Sequence, residues 1–98
     1  MSTEVQLIVL IRTQAGKGSE QIAAFKRLAP LVHAEAGCLQ YELHGVDGDA
    51  DRFVLFELWA SAEALAAHAA SAHMAASAAE SASFRAGPVE ILRIGARV

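Results

Sequence analysis

A chain of 98 residues holds one domain, since two independent cores need more length than that. Its hydrophobic fraction of 54% exceeds the globular norm of about 45 to 50%, and a domain this small buries only about 60 to 65% of its unfolded surface, so apolar surface is left over for self-association. With 19% charged residues, a net charge of -3 and its 8 Lys and Arg scattered, the chain lacks the basic patch that a nucleic acid or an anionic membrane requires.

Met1-Ser2-Thr3-Glu4 puts an acid where a secretory leader carries positive charge, and no small-residue cleavage site follows before Arg12, so no leader is expected. Segment 4–13 is dense in β-branched and leucine residues and reads as a strand. Ala15-Gly16-Lys17-Gly18 is a turn, without the spacing of a phosphate loop. Ser19 caps a helix whose Ile22, Phe25, Leu28 or Ala29, and Val32 recur at three- and four-residue spacing. Pro30 removes one backbone hydrogen bond and bends that helix, and Gly37 ends it.

Cys38 to His44 alternates as a strand, with Leu39, Tyr41 and Leu43 on one side. Gly45 to Asp51 is an acidic loop, and Arg52 to Trp59 returns as the second half of a hairpin. Ser61 and Glu63 open a second helix, although Ala64 stands where Glu or Gln would complete a capping box. That helix runs to about Ser83, with a break near Ser71. Its stretch from Ala64 to Ala79 is mostly Ala and Ser, and no segment offers the ~20 strongly apolar residues of a membrane span. After Gly87-Pro88, Val89 to Ile94 forms the last strand. The order β-α-β-β-α-β implies an α+β, ferredoxin-like fold over residues 1–98, a four-stranded antiparallel sheet with helices on one face.

Such a sheet normally leaves its second face wet and polar. Here Val5, Leu7, Val9 and Ile11 stand opposite Ile8 and Leu10, and Val54, Phe56 and Leu58 stand opposite Phe53, Leu55 and Trp59, so both faces are apolar. Strands apolar on both sides are covered on both sides. The simplest cover is a second copy of the same sheet, giving a homodimer joined sheet to sheet.

Cys38, the only cysteine, has no internal partner, so a reducing cytoplasm is the expected location. It also lacks a basic neighbour to activate it as a nucleophile. His68 and His73 sit roughly 140° apart on a continuous helix, which is not metal-ligand spacing, and no metal site is expected. A break at Ser71-Ala72 would bring both rings toward one cavity, where a neutral imidazole is a base or hydrogen-bond partner; otherwise they are surface histidines. Trp59 ends its strand where the sheet meets the helices, placed either to stack on a planar ligand or to fill the core. Tyr41 shares a face with Leu39 and Leu43, its ring buried and its hydroxyl in need of a partner. Glu57 lies on an otherwise apolar face, where an ion pair with Arg12 or Arg93 is the simplest compensation.

Taken together, these segments resemble one family. Ala36 to Leu43, then Phe53 to Ser61 with Ala64-Leu65 and Ala67-His68, then Ser71-Ala72-His73-Met74 are similar in order and spacing to the blocks of the antibiotic biosynthesis monooxygenases. The resemblance implies a protomer of the form described above that dimerises into an α+β barrel. It is closest to the small quinol monooxygenases, which oxidise hydroquinone-type aromatics with molecular oxygen and need neither metal nor flavin. It therefore implies a small aromatic substrate, no cofactor, His68, His73 and Trp59 as catalytic residues, and Tyr41, Phe56, Leu65 and Met74 against the substrate. The polyketide-tailoring branch carries a Tyr where this chain has Leu65 and an Asn where it has Leu55. Ile11, His68 and Ala78 do not match the haem-degrading relatives, so haem binding is not expected. Two other outcomes stay open: a non-catalytic, stress-associated ligand-binding barrel, and an isomerase of a small phosphorylated dicarbonyl compound. The isomerase needs a cationic pocket that the few Arg and Lys do not obviously supply.

Overall fold

The computed structural model describes residues 3–98. The elements run β1 (Val5–Arg12), α1 (Gly18–His33), β2 (Cys38–Val46), β3 (Asp49–Trp59), α2 (Ala62–Ala69), α3 (Ala72–Ser81) and β4 (Glu90–Arg93). The strands form one antiparallel sheet in the order β2-β3-β1-β4, the ferredoxin-like arrangement that the element order implies. Register explains the packing. Leu7 pairs with Glu57, Val9 with Leu55 and Ile11 with Phe53, and this row of the sheet is buried under the helices with Val5, Tyr41, Trp59 and the α1 residue Val32. Burying a side chain such as Val32 completely contributes about 1.5 to 3 kcal/mol.

The alternate residues Ile8, Leu10, Val54, Phe56 and Leu58 turn to the other face, where they are only partly covered, and Leu92 of β4 is exposed beside Ile8. Among the described residues no helix is long and apolar enough to cross a membrane.

Three local expectations are corrected. Ser19 does not cap α1. The helix begins at Gly18 without a side-chain cap of its own, and the Asp51 carboxylate of β3 accepts from the Gly16 and Gly18 amides at 2.9 and 3.0 Å. A distant acid does the work of a local hydroxyl because the backbone of Ala50 packs directly on Gly18, where a Cβ would collide with its carbonyl. Nor does Leu39 share a face with Tyr41 and Leu43. A β-bulge between Cys38 and Gln40 inserts one extra residue, so Cys38 stays opposite Trp59 while Leu39 is 52% exposed. Finally, the acidic loop is much shorter than Gly45 to Asp51. The strands continue to Val46 and Asp49, and Gly48 turns the chain at a φ of 81°.

Pro30 lies within α1, which continues to His33. The chain then turns through Gly37, whose φ of 82° suits glycine, and a Cβ there would lie 2.6 Å from Ala64 Cβ. That close approach seats α2 against the turn that carries Glu35.

Candidate active site

Between the helices and the buried face of the sheet lies a cavity of ≈ 350 Å³. Leu7, Val9, Ile11 and Leu55 form its floor, Phe25 and Leu28 of α1 one wall, and Leu65 and Met74 of α2 and α3 another. Set into these apolar walls are Tyr41, Glu57 and His68, together with Gln21, Ser81 and Arg85.

The helix break decides where the histidines go. Ser61 caps α2 by accepting from the Ala64 amide at 3.1 Å. Ser71 then ends the turn, donating to the His68 carbonyl at 2.7 Å and accepting from Met74 N at 3.4 Å. With the chain restarted there, His68 Nδ1 lies 2.8 Å and His73 Nε2 2.7 Å from the same oxygen, Glu35 Oε2. An ionised carboxylate only accepts, so each ring donates an N–H to it. In the neutral His68 ring this leaves Nε2 as the bare, basic nitrogen. Nε2 lies 3.9 Å from Glu57 Oε1, which accepts the Trp59 indole N–H at 2.9 Å. The Trp59 ring tilts over His68 at a centroid distance of 4.4 Å, and Tyr41 meets His68 edge-on at 5.7 Å.

Charge follows burial and partners. Desolvation is the largest influence on Glu35 and pushes its pKa up, but the hydrogen bonds from His68 and His73 and their charges outweigh it, and the carboxyl is held below its ordinary value. Glu57 goes the other way. Its burial dominates, its Trp59 and His68 contacts oppose, and its pKa is raised. Burial, reinforced by Glu57, holds the Tyr41 phenol well above its usual range, so it is a neutral donor. Burial and the carboxylates of Glu35 and Glu57 also push the Cys38 thiol up, away from nucleophilic use.

Sequence patterning anticipates part of this arrangement. His68, Tyr41, Leu65 and Met74 line the cavity. Trp59 is 0% exposed and stands behind His68, committed to Glu57, rather than on the cavity wall. His73 is likewise one layer back, holding Glu35. Phe56 is on the opposite face of the sheet, edge-on to His44, because its position on β3 alternates with Leu55 and Glu57. Glu57 has no ion pair with Arg12 or Arg93 among the described residues; its partners are Trp59 and His68.

Several polar groups escape the sequence reading, Gln21 and Ser81 on the cavity wall among them, and two matter most for charge. Glu35 lies far from both histidines in the chain. Its signal is an acid just past the C-terminal end of a helix, where the helix dipole disfavours negative charge. Arg85 follows α3 without any motif; it gives the cavity the cation that sequence reading does not find there.

Residues 5–80 match the model of the antibiotic biosynthesis monooxygenase family. The chain belongs to that family. Similar solved structures include PA3566 from Pseudomonas aeruginosa, 28% identical, covering 100% of this chain and 98% of the other with a TM-score of 0.89. A putative antibiotic biosynthesis monooxygenase from Caulobacter crescentus is 26% identical over 99% of this chain and 92% of the other, at 0.89. SnoaB, a cofactor-independent oxygenase from Streptomyces nogalater, is 18% identical over 99% and 96%, at 0.85, and shares the fold. No curated protein sequence matches.

Against this family background, one side-chain group of the chain is chemically versatile. The donor atoms of Glu35, His68 and His73 all lie within 4.8 Å of one another. Helical spacing of the histidines therefore does not exclude a metal here: the break and the distant Glu35 create a two-histidine, one-carboxylate set that a divalent ion could bridge in place of the two shared protons.

Proposed function

We propose that the protein is a monooxygenase of a phenolic aromatic of the hydroquinone type, using molecular oxygen without a resident metal or flavin. The observation that carries this reading is His68, buried at the wall of an apolar cavity with Nδ1 fixed by Glu35 and Nε2 making no hydrogen bond among the described residues, Glu57 Oε1 lying 3.9 Å away. His68 Nε2 takes the proton of the substrate hydroxyl, Glu35 stabilises the imidazolium that results, and His73 steadies Glu35 from behind. The phenolate is the electron-rich species that reduces oxygen, and the apolar walls keep water from it. Tyr41, neutral and 4% exposed, donates a hydrogen bond to the substrate, while Leu65 and Met74 pack on its ring. Trp59 supports His68 and Glu57 rather than touching the substrate. SnoaB, described as a cofactor-independent oxygenase on the same fold, supports a reaction without a helper group. The working unit on this reading is a homodimer, its two sheets facing each other through Ile8, Leu10, Val54, Phe56 and Leu58.

The deciding experiment is oxygen consumption by metal-free protein with hydroquinones such as menadiol, measured against spontaneous autoxidation. Uptake that depends on the protein and is lost in His68→Ala supports the reading. Uptake no faster than buffer across the panel overturns it in favour of a binding module or an isomerase.

A further inference from the structure

The cavity is charged differently along its length. Glu57 sits opposite Leu7, near the start of β1, whereas Arg85 bridges to Thr13, just beyond the end of that strand. Both line the same cavity, so the Arg85 backbone stands at the end away from Glu57, and its side chain reaches in within electrostatic range of the Tyr41 phenol. Its backbone is held there: Thr13 and Arg85 form an isolated bridge, the Ala86 amide donates to the Arg12 carbonyl, and the Gln14 side chain donates to the Arg85 carbonyl at 3.2 Å.

Its side chain is partly buried and has one hydrogen-bond partner among the described residues. Arg85 Nε donates to Gln21 Oε1 at 3.1 Å. Among the described residues no carboxylate stands in ion-pair contact with it, and no acceptor bonds its two terminal nitrogens. Gln21 is 3% exposed, and with its oxygen committed to Arg85 its amide nitrogen is a further donor without an acceptor among the described residues. Burial disfavours the Arg85 charge, which makes an anionic partner more valuable there than at the surface.

We propose that Arg85 and Gln21 form a recognition site for a carboxylate carried by the substrate, so that the cavity takes an aromatic acid with its ring toward His68 and its carboxylate on the guanidinium. The inference rests on the reading of this cavity as the substrate site. A carboxylate is favoured over a phosphate monoester for two reasons. The free edge of a guanidinium is planar and matches a carboxylate through two parallel hydrogen bonds. Among the described residues Arg85 is also the only Lys or Arg on the cavity wall, which balances one negative charge rather than two.

The test compares ligands that differ only in charge, by titration calorimetry on the whole protein at neutral pH: 2-naphthoate, the neutral 2-naphthamide and 2-naphthyl phosphate. The acid is expected to bind about tenfold tighter than the amide. In Arg85→Gln this ratio collapses toward one, and Arg85→Lys, which keeps the charge but not the fork, restores part of it. Equal binding of acid and amide by the unaltered protein overturns the inference, whatever the variants do. A preference that survives in Arg85→Gln, no binding of either ligand at millimolar concentration, or a phosphate that outcompetes the carboxylate does so too. Oxygen plays no part in this measurement. Selection of the acid without any oxygen consumption sinks the monooxygenase reading alone, whereas oxidation of neutral quinols with no selection of the acid sinks this inference alone.

Discussion

The two faces of the sheet are built from the same strands and solve different problems. On the face toward the helices, Glu57 and Tyr41 are buried with His68 of α2, Trp59 holds Glu57 and Glu35 holds His68, and among the described residues no side-chain polar atom fully shut off from the cavity and solvent lacks a partner. On the far face, Ile8, Leu10, Val54, Phe56 and Leu58 form an apolar strip that this chain covers only in part, flanked on β2 by Gln40, Glu42 and His44. Polar groups taken out of water need particular partners at particular distances, whereas apolar surface needs only cover. The inner face therefore finds its partners within one chain and the cavity it encloses, while the outer face is left for the partner copy proposed above.

Substitutions on each side sharpen this contrast. The largest effect belongs to His68→Ala, which should lower the oxygen-uptake rate about 10²-fold or more, with circular dichroism showing the fold retained. Glu35→Gln keeps the shape but not the charge that fixes the His68 tautomer; a loss of about tenfold in kcat with KM little changed is expected, and an unchanged kcat would remove Glu35 from the mechanism. On the far face, Phe56→Asp should halve the mass measured by light scattering, and a native protein that is already monomeric at micromolar concentration breaks the comparison outright.

The smallest effect is on stability. The Glu57 carboxyl is raised, so folding favours its protonated form, and its contribution is fully present at low pH and lost as pH rises through the folded value. Glu57→Gln still accepts from Trp59 without a charge. Its melting temperature should exceed that of the native protein on the order of 3 °C at pH 8, with the gain shrinking toward pH 4. Glu35 has the opposite sign: its stabilisation is present above the ordinary carboxyl range and lost as pH falls through its depressed value, so the deficit of Glu35→Gln should fade in acid.

The fold was legible because its signals are local and periodic. Alternation in β1 and β3, the Ser61 cap and the break at Ser71 each depend on neighbours in the chain, and together they order the elements. The family blocks also point to His68 and His73. What escaped depends on distance: Asp51 reaching back to α1, Glu35 reaching across to α2 and α3, and Arg85 meeting Gln21 are contacts between segments more than thirty residues apart. Leu39 escaped for a different reason. A single inserted residue reverses the alternation of a strand, and nothing in its composition announces the insertion.

That irregular strand has another consequence. β2 is one edge of the sheet, and its register slips at both ends, between Cys38 and Gln40 and again between Gly45 and Val46. The opposite edge, β4, is only 4 residues long. A bulged edge and a short one are poor templates for a further strand. The sheet is thereby guarded against growing sideways into ribbons and aggregates, which leaves the apolar strip of its far face as the surface for the partner copy proposed above.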